Sequence, residues 1–158
     1  MRKRVLIGII SCVSFFGFSQ GYKTAIGLKG GYPYYGSLDL KHDFGKAFGE
    51  FRLGGGSHDF FIQGLYEKNA DLSDGVQWYW GAGGHLGFWN FALNNGYYHN
   101  GKYYDSGSYG GIDGVVGLEY TFADFPLNLA VDAGPTVQIF PYLRTTFSVA
   151  VAARFAIK

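Results

Sequence analysis

The chain has 158 residues, enough for one domain, with 20% aromatic residues, 26 glycines and only 16% charged residues. Such hydrophobicity with a formal net charge of +1 excludes a disordered chain, and the glycines lack the three-residue period of collagen. Beyond the first four residues no basic run occurs, so a nucleic-acid partner is not expected.

Residues 1–19 read as a secretory signal peptide. "MRKR" is basic, "VLIGIISCVSFFGF" is apolar, and Gly17 and Ser19 supply the small residues of a cleavage site before Gln20. A rival reading takes "IISC" as a lipoprotein box with Cys12 as the lipidated residue. Cys12 is the only cysteine, so residues 20–158, the expected mature domain, have no disulfide framework, thiol nucleophile or cysteine metal site. Removing the leader takes Arg2, Lys3 and Arg4 with it and leaves carboxylates in excess.

From there no stretch keeps a helical period over three turns, and apolar and polar residues alternate instead. Eight strands are expected. The first, 22–32, sets Tyr22, Thr24, Ile26 and Leu28 against Lys23 and Lys29. The second, 37–44, sets Leu38, Leu40, His42 and Phe44 against Ser37, Asp39, Lys41 and Asp43. The third, 47–54, sets Ala47, Gly49, Phe51 and Leu53 against Phe48, Glu50 and Arg52. The fourth, 60–67, sets Phe60, Ile62 and Tyr66 against Gln63 and Glu67. Residues 68–75 are expected to connect.

The fifth strand, 76–89, sets Val76, Trp78, Trp80, Leu86 and Phe88 against Gln77 and His85. One long polar connection, 90–109, follows. The sixth, 111–122, sets Ile112, Val116, Leu118 and Tyr120 against Asp113 and Glu119. The seventh, 127–138, sets Leu127, Leu129 and Val131 against Asn128, Asp132, Thr136 and Gln138. The eighth, 144–157, sets Phe147, Val149, Val151, Phe155 and Ile157 against Ser148 and Arg154.

Alternation alone fits a soluble sandwich or a lipocalin-like carrier as well as a membrane barrel. An even strand count, tight turns alternating with one long loop, and aromatics near strand ends (Tyr32, Tyr34, Tyr35, Trp78, Trp80, Trp89, Tyr120, Phe122, Phe155) favour the membrane barrel. So does the placement of charge. The apolar series contain no Lys, Arg, Asp or Glu, whereas the polar series carry both signs, as a self-pairing lumen requires. Lys41, Glu50, Arg52, Glu67, His85, Asp113, Glu119, Asp132 and Arg154 are the expected lumen network, with His85 paired to a carboxylate. The expected fold is therefore an all-β, eight-stranded antiparallel up-and-down transmembrane barrel. Eight strands leave a lumen filled by side chains rather than a wide pore.

"GIDGVVGLEYTF" followed by "ADFPLNLAVDAGPT" resembles the closing half of small outer-membrane β-barrel proteins of the Bacteroidetes. "GLYEK" and "WGAGGHLGFW" resemble the middle of that family. More loosely, the layout is similar to OmpX- and OmpA-type barrels. The resemblance implies an outer-membrane location in a Gram-negative bacterium, contact with outer-membrane lipid and lipopolysaccharide, and insertion by the barrel assembly machinery. It names no activity, cofactor or surface partner.

Candidate chemistry is sparse. His42, His58, His85 and His99 show no metal-ligand spacing, and no cofactor is expected. An outer-membrane lipid-modifying enzyme, similar to lipid A deacylases, would need a Ser–His–acid set. "SHD" at Ser57–His58–Asp59 offers the residue types, but neighbours along a strand point to opposite faces. The long loop is the better candidate surface. Its Tyr97, Tyr98, Tyr103, Tyr104 and Tyr109, set among Asn and Gly, suit an adaptable binding patch.

Overall fold

The computed structural model describes residues 21–55, 59–90, 97–104 and 106–158. The expected leader, with Cys12, lies outside them, as do Ser57 and His58. Eight long strands form a closed barrel: β1 (Thr24–Tyr32), β2 (Ser37–Asp43), β3 (Phe48–Gly55), β4 (Asp59–Ser73), β5 (Val76–Asn90), β8 (Ser106–Thr121), β9 (Leu127–Phe140) and β10 (Arg144–Ile157). The short β6 (Tyr97–His99) and β7 (Lys102–Tyr104) form a separate hairpin between β5 and β8.

Every neighbouring pair in the barrel is antiparallel, and β10 closes on β1 through Thr24–Ile157 to Tyr32–Val149. The β2–β3, β4–β5 and β8–β9 turns therefore share one end with Thr24 and Ile157, called here the terminal end. The far end carries the hairpin β6–β7. Followed around the wall, Thr24 leads through His42, Gly49, Tyr66 and Ala82 towards Phe147, two residues past the Val149–Tyr32 pair. The ladder thus returns about ten residues up β1, a stagger that tilts the strands relative to the barrel axis.

Period-two alternation decides which residues meet the interior. In the sixth strand of the sequence reading, Val116 is 53% exposed on the outer wall while Glu119, three residues on, is 2% exposed inside. Glycine is required where the backbone of the neighbouring strand leaves no room for a side chain. A Cβ on Gly83 would collide with the Gly64 carbonyl, and one on Gly134 with the Gly114 carbonyl.

Several expectations are corrected, among them Lys23, which is exposed, and Ala47, which is buried. Tyr22 lies inside, not with Ile26 and Leu28, because the regular strand starts only at Thr24. Residues 68–73 continue β4 instead of forming a connection, so the turn is reduced to Asp74–Gly75, with Gly75 at φ 76°. This longer strand puts Lys68, exposed beside Trp80, on the outer wall near the terminal end. The expected loop 90–109 contains β6, β7 and the first residues of β8. Finally, Tyr34 and Trp89 are not in outer girdles. Tyr34 turns back over the barrel mouth, and Trp89 packs inward against Tyr109.

Candidate functional site

The lumen holds two polar layers. In the layer nearer the terminal end, Arg154 stands at the centre. Its Nε donates to Asp39 Oδ2 at 2.5 Å, its NH2 nitrogen to Glu50 Oε2 at 2.7 Å and its NH1 nitrogen to Asn128 Oδ1 at 3.0 Å. Lys29 bridges Glu50 and Asp132, each at 2.6 Å, and the Tyr79 hydroxyl donates to Asp132 at 2.6 Å. Lys41 reaches Glu67 at 2.8 Å and Glu119 at 3.0 Å, with its ammonium 3.9 Å from the centre of the Tyr79 ring. Tyr22 and Asn69 complete the donors to Glu119.

These groups come from every long strand because all strands turn alternate side chains inward. All eight ionisable acid and base residues of the layer, Lys29, Asp39, Lys41, Glu50, Glu67, Glu119, Asp132 and Arg154, are buried. Burying them singly would cost several kcal/mol each, so mutual pairing is the condition for such an interior.

The second layer lies towards the far end. Arg52 Nε donates to Ser37 Oγ at 3.2 Å and NH1 to Gln63 Oε1 at 2.8 Å. Gln63 Nε2 donates onward to Asp113 Oδ2 at 2.7 Å, and His85 Nδ1 lies 3.0 Å from the same carboxylate. Four rings cover this layer. Tyr34 stacks on Phe61 with centroids 4.2 Å apart, and Trp89 on Tyr109 at 5.3 Å.

The structure therefore brings Lys41, Glu50, Glu67, Glu119, Asp132 and Arg154 into one layer and Arg52, His85 and Asp113 into the other. The sequence reading placed Lys29 and Asp39 on the polar face but left them out of its network, together with Gln63, Tyr79 and Asn128. Tyr79 was within reach: it shares the register of Gln77 and His85, between the outward Trp78 and Trp80.

The five candidate tyrosines separate. Tyr109 is a correction: it belongs to β8, is 9% exposed and sits inside the barrel, because the strand begins at Ser106. The register of the hairpin places Tyr97 opposite Tyr104 and Tyr98 opposite Tyr103. Among the described residues, no group of three His, Cys, Asp or Glu is placed to hold a metal. His42, on the outer wall, bonds Thr24 Oγ1 through Nδ1 at 2.8 Å and meets Phe44 edge-on.

The outer wall is apolar. Leu28, Leu38, Tyr66, Trp80, Phe88, Ile112, Phe147, Val151 and Phe155 are each more than half exposed. A groove of about 520 Å³ crosses it between Phe51, Ile62, Leu86 and Phe140, floored by Gly64 and Gly84. In comparison with known proteins, no family model, no curated protein and no solved structure matches the chain.

Proposed function

We propose that this barrel resides in the outer membrane of a Gram-negative bacterium, exported by a cleaved signal peptide. There it acts as a structural element or a surface-binding module rather than as a wide pore or an enzyme. One observation carries the reading: the barrel is polar inside and apolar outside. Soluble proteins rarely expose contiguous apolar patches beyond a few hundred Å², and in hydrocarbon only helices and closed barrels satisfy every backbone group. The aromatic residues Tyr32, Tyr35 and Phe147 near the far end and Phe44, Phe125 and Phe155 near the terminal end suit the two interfaces. Its partners are then outer-membrane lipid and lipopolysaccharide, with the barrel assembly machinery acting during insertion.

The same observation disfavours a lipocalin-like carrier, whose interior must receive an apolar ligand. Ion pairs and stacked rings occupy the interior here, which also speaks against a wide channel. The tyrosine positions of β6–β7, at the end opposite both strand termini, are where a surface partner would bind.

Cell fractionation followed by gel migration with and without boiling in detergent tests the proposal. Outer-membrane recovery with a heat-dependent mobility shift is expected. Recovery in the soluble fraction with no shift would overturn it. Lipid hydrolysis lost on changing one far-end Ser or His would return the enzyme reading.

A further inference from the structure

Among the buried cations of the lumen, Arg52 differs in its surroundings. Lys29, Lys41 and Arg154 each touch at least two carboxylates. Arg52, 5% exposed, has no carboxylate within 4 Å among the described residues. Its direct hydrogen-bond partners are the neutral Ser37 and Gln63, and its NH2 nitrogen has none. The carboxylate of its cross-strand neighbour Asp39 is engaged by Arg154, and that of Asp113 by Gln63 and His85. A buried cation left without an ion partner is costly, and an orphaned buried donor calls for an explanation.

The location supplies one. Arg52 is in the layer nearer the far end, flanked by the rings of Tyr34 and Phe61, whose centres lie 5.8 and 5.7 Å from the guanidinium. Phe61 is anchored in β4. Tyr34 stands in the short β1–β2 connection, outside any strand, and its carbonyl accepts from Gly31 N at 3.0 Å. A side-chain rotation of Tyr34 would remove one of these two flanking rings without disturbing the barrel ladder. Guanidinium groups bind carboxylates and phosphates through charge-assisted hydrogen bonds.

We infer that Arg52 is an anion-binding group closed over by Tyr34, and that it takes the carboxylate or phosphate group of a molecule arriving at the far end. Ser37 and Gln63 hold the guanidinium in place while the free NH2 edge meets the anion. Gln63 couples the site to Asp113 and His85. This inference does not depend on what surrounds the barrel wall.

The test is an NMR titration of the full chain in detergent with sodium acetate or inorganic phosphate at constant ionic strength. The readouts are the Arg52 Nε–H and Gln63 side-chain amide signals, with Arg154 as the saturated internal control and Arg144 as the exposed one. A saturable shift confined to Arg52 and Gln63 is expected. Tighter binding of phosphate assigns a phosphate ligand, and tighter binding of acetate a carboxylate. Tyr34→Ala, which removes the closed state, should tighten binding about tenfold, and Arg52→Gln should abolish the Gln63 response. Shifts that do not saturate, or that match Arg144 in midpoint, would overturn the inference. If Arg52→Gln fails to fold, the wild-type and Tyr34→Ala titrations decide it.

Discussion

Arg154 on β10 and Glu50 on β3 meet across the lumen at 2.7 Å, although β1 and β2 separate them around the wall. The contact is a chord across the barrel, spanning three of its eight strand intervals. Glu50 also accepts from Lys29 on β1, and Arg154 donates to Asp39 on β2, so four strands are tied together at a single level.

Arg154→Met should destabilise the barrel by about 3–5 kcal/mol, because Asp39 would remain buried without its cation and Glu50 would keep only Lys29. Adding Asp39→Asn and Glu50→Gln should recover part of the loss, since the penalty lies in the orphaned charges. Urea unfolding monitored by tryptophan fluorescence reads both. Equal stability of the single and triple variants would contradict the charge argument.

Gly83→Ala and Gly64→Ala should differ sharply although the two glycines lie on adjacent strands. A Cβ at 83 collides with the Gly64 carbonyl, whereas one at 64 meets nothing within 4 Å. Gly64→Ala is expected within about 0.5 kcal/mol of the parent. Gly83→Ala should cost more, about 1–3 kcal/mol, as overpacking does. Refolding yield and denaturant midpoint check the pair.

Val116→Arg tests what the outer wall touches. Val116 lies in mid-strand, 53% exposed. In lipid an arginine near the midplane costs roughly 2–4 kcal/mol; on a watery surface it would be nearly neutral. Unfolding measured in phospholipid vesicles should show the penalty. A neutral result there would argue against a lipid-facing wall.

Gly75→Ala probes the shortened β4–β5 turn. Gly75 adopts φ 76°, which alanine resists, and a Cβ there would approach the Tyr120 ring at 2.8 Å. A loss of about 1 kcal/mol is expected, read as a lower urea midpoint with the heat-dependent mobility retained.

Much of this architecture was legible in the alternation of residues. "SLDLKHDF" and "GLEYTF" each state their inward and outward faces, because a strand's side chains can point only two ways. The nine expected lumen residues followed from that period alone. The errors fall where regular alternation starts or stops. Tyr22 precedes β1, and the polar run at 68–73 continues a strand that sequence composition reads as a connection. Tyr34 lies in a connection that carries it back over the mouth, and Tyr109 belongs to a strand whose start at Ser106 is hidden by Gly and Ser.

By itself the sequence determined the number of barrel strands, the inward and outward sets within their regular stretches and the charge separation between them, since all three are properties of period and composition. Only the tertiary structure decided which charges meet. Closure with a stagger sets which levels of non-adjacent strands face one another. It brings Lys29, Glu50 and Asp132 together and, among the described residues, leaves Arg52 with Gln63 and without a carboxylate. Those pairings are distances across a lumen, and no local pattern along the chain encodes them.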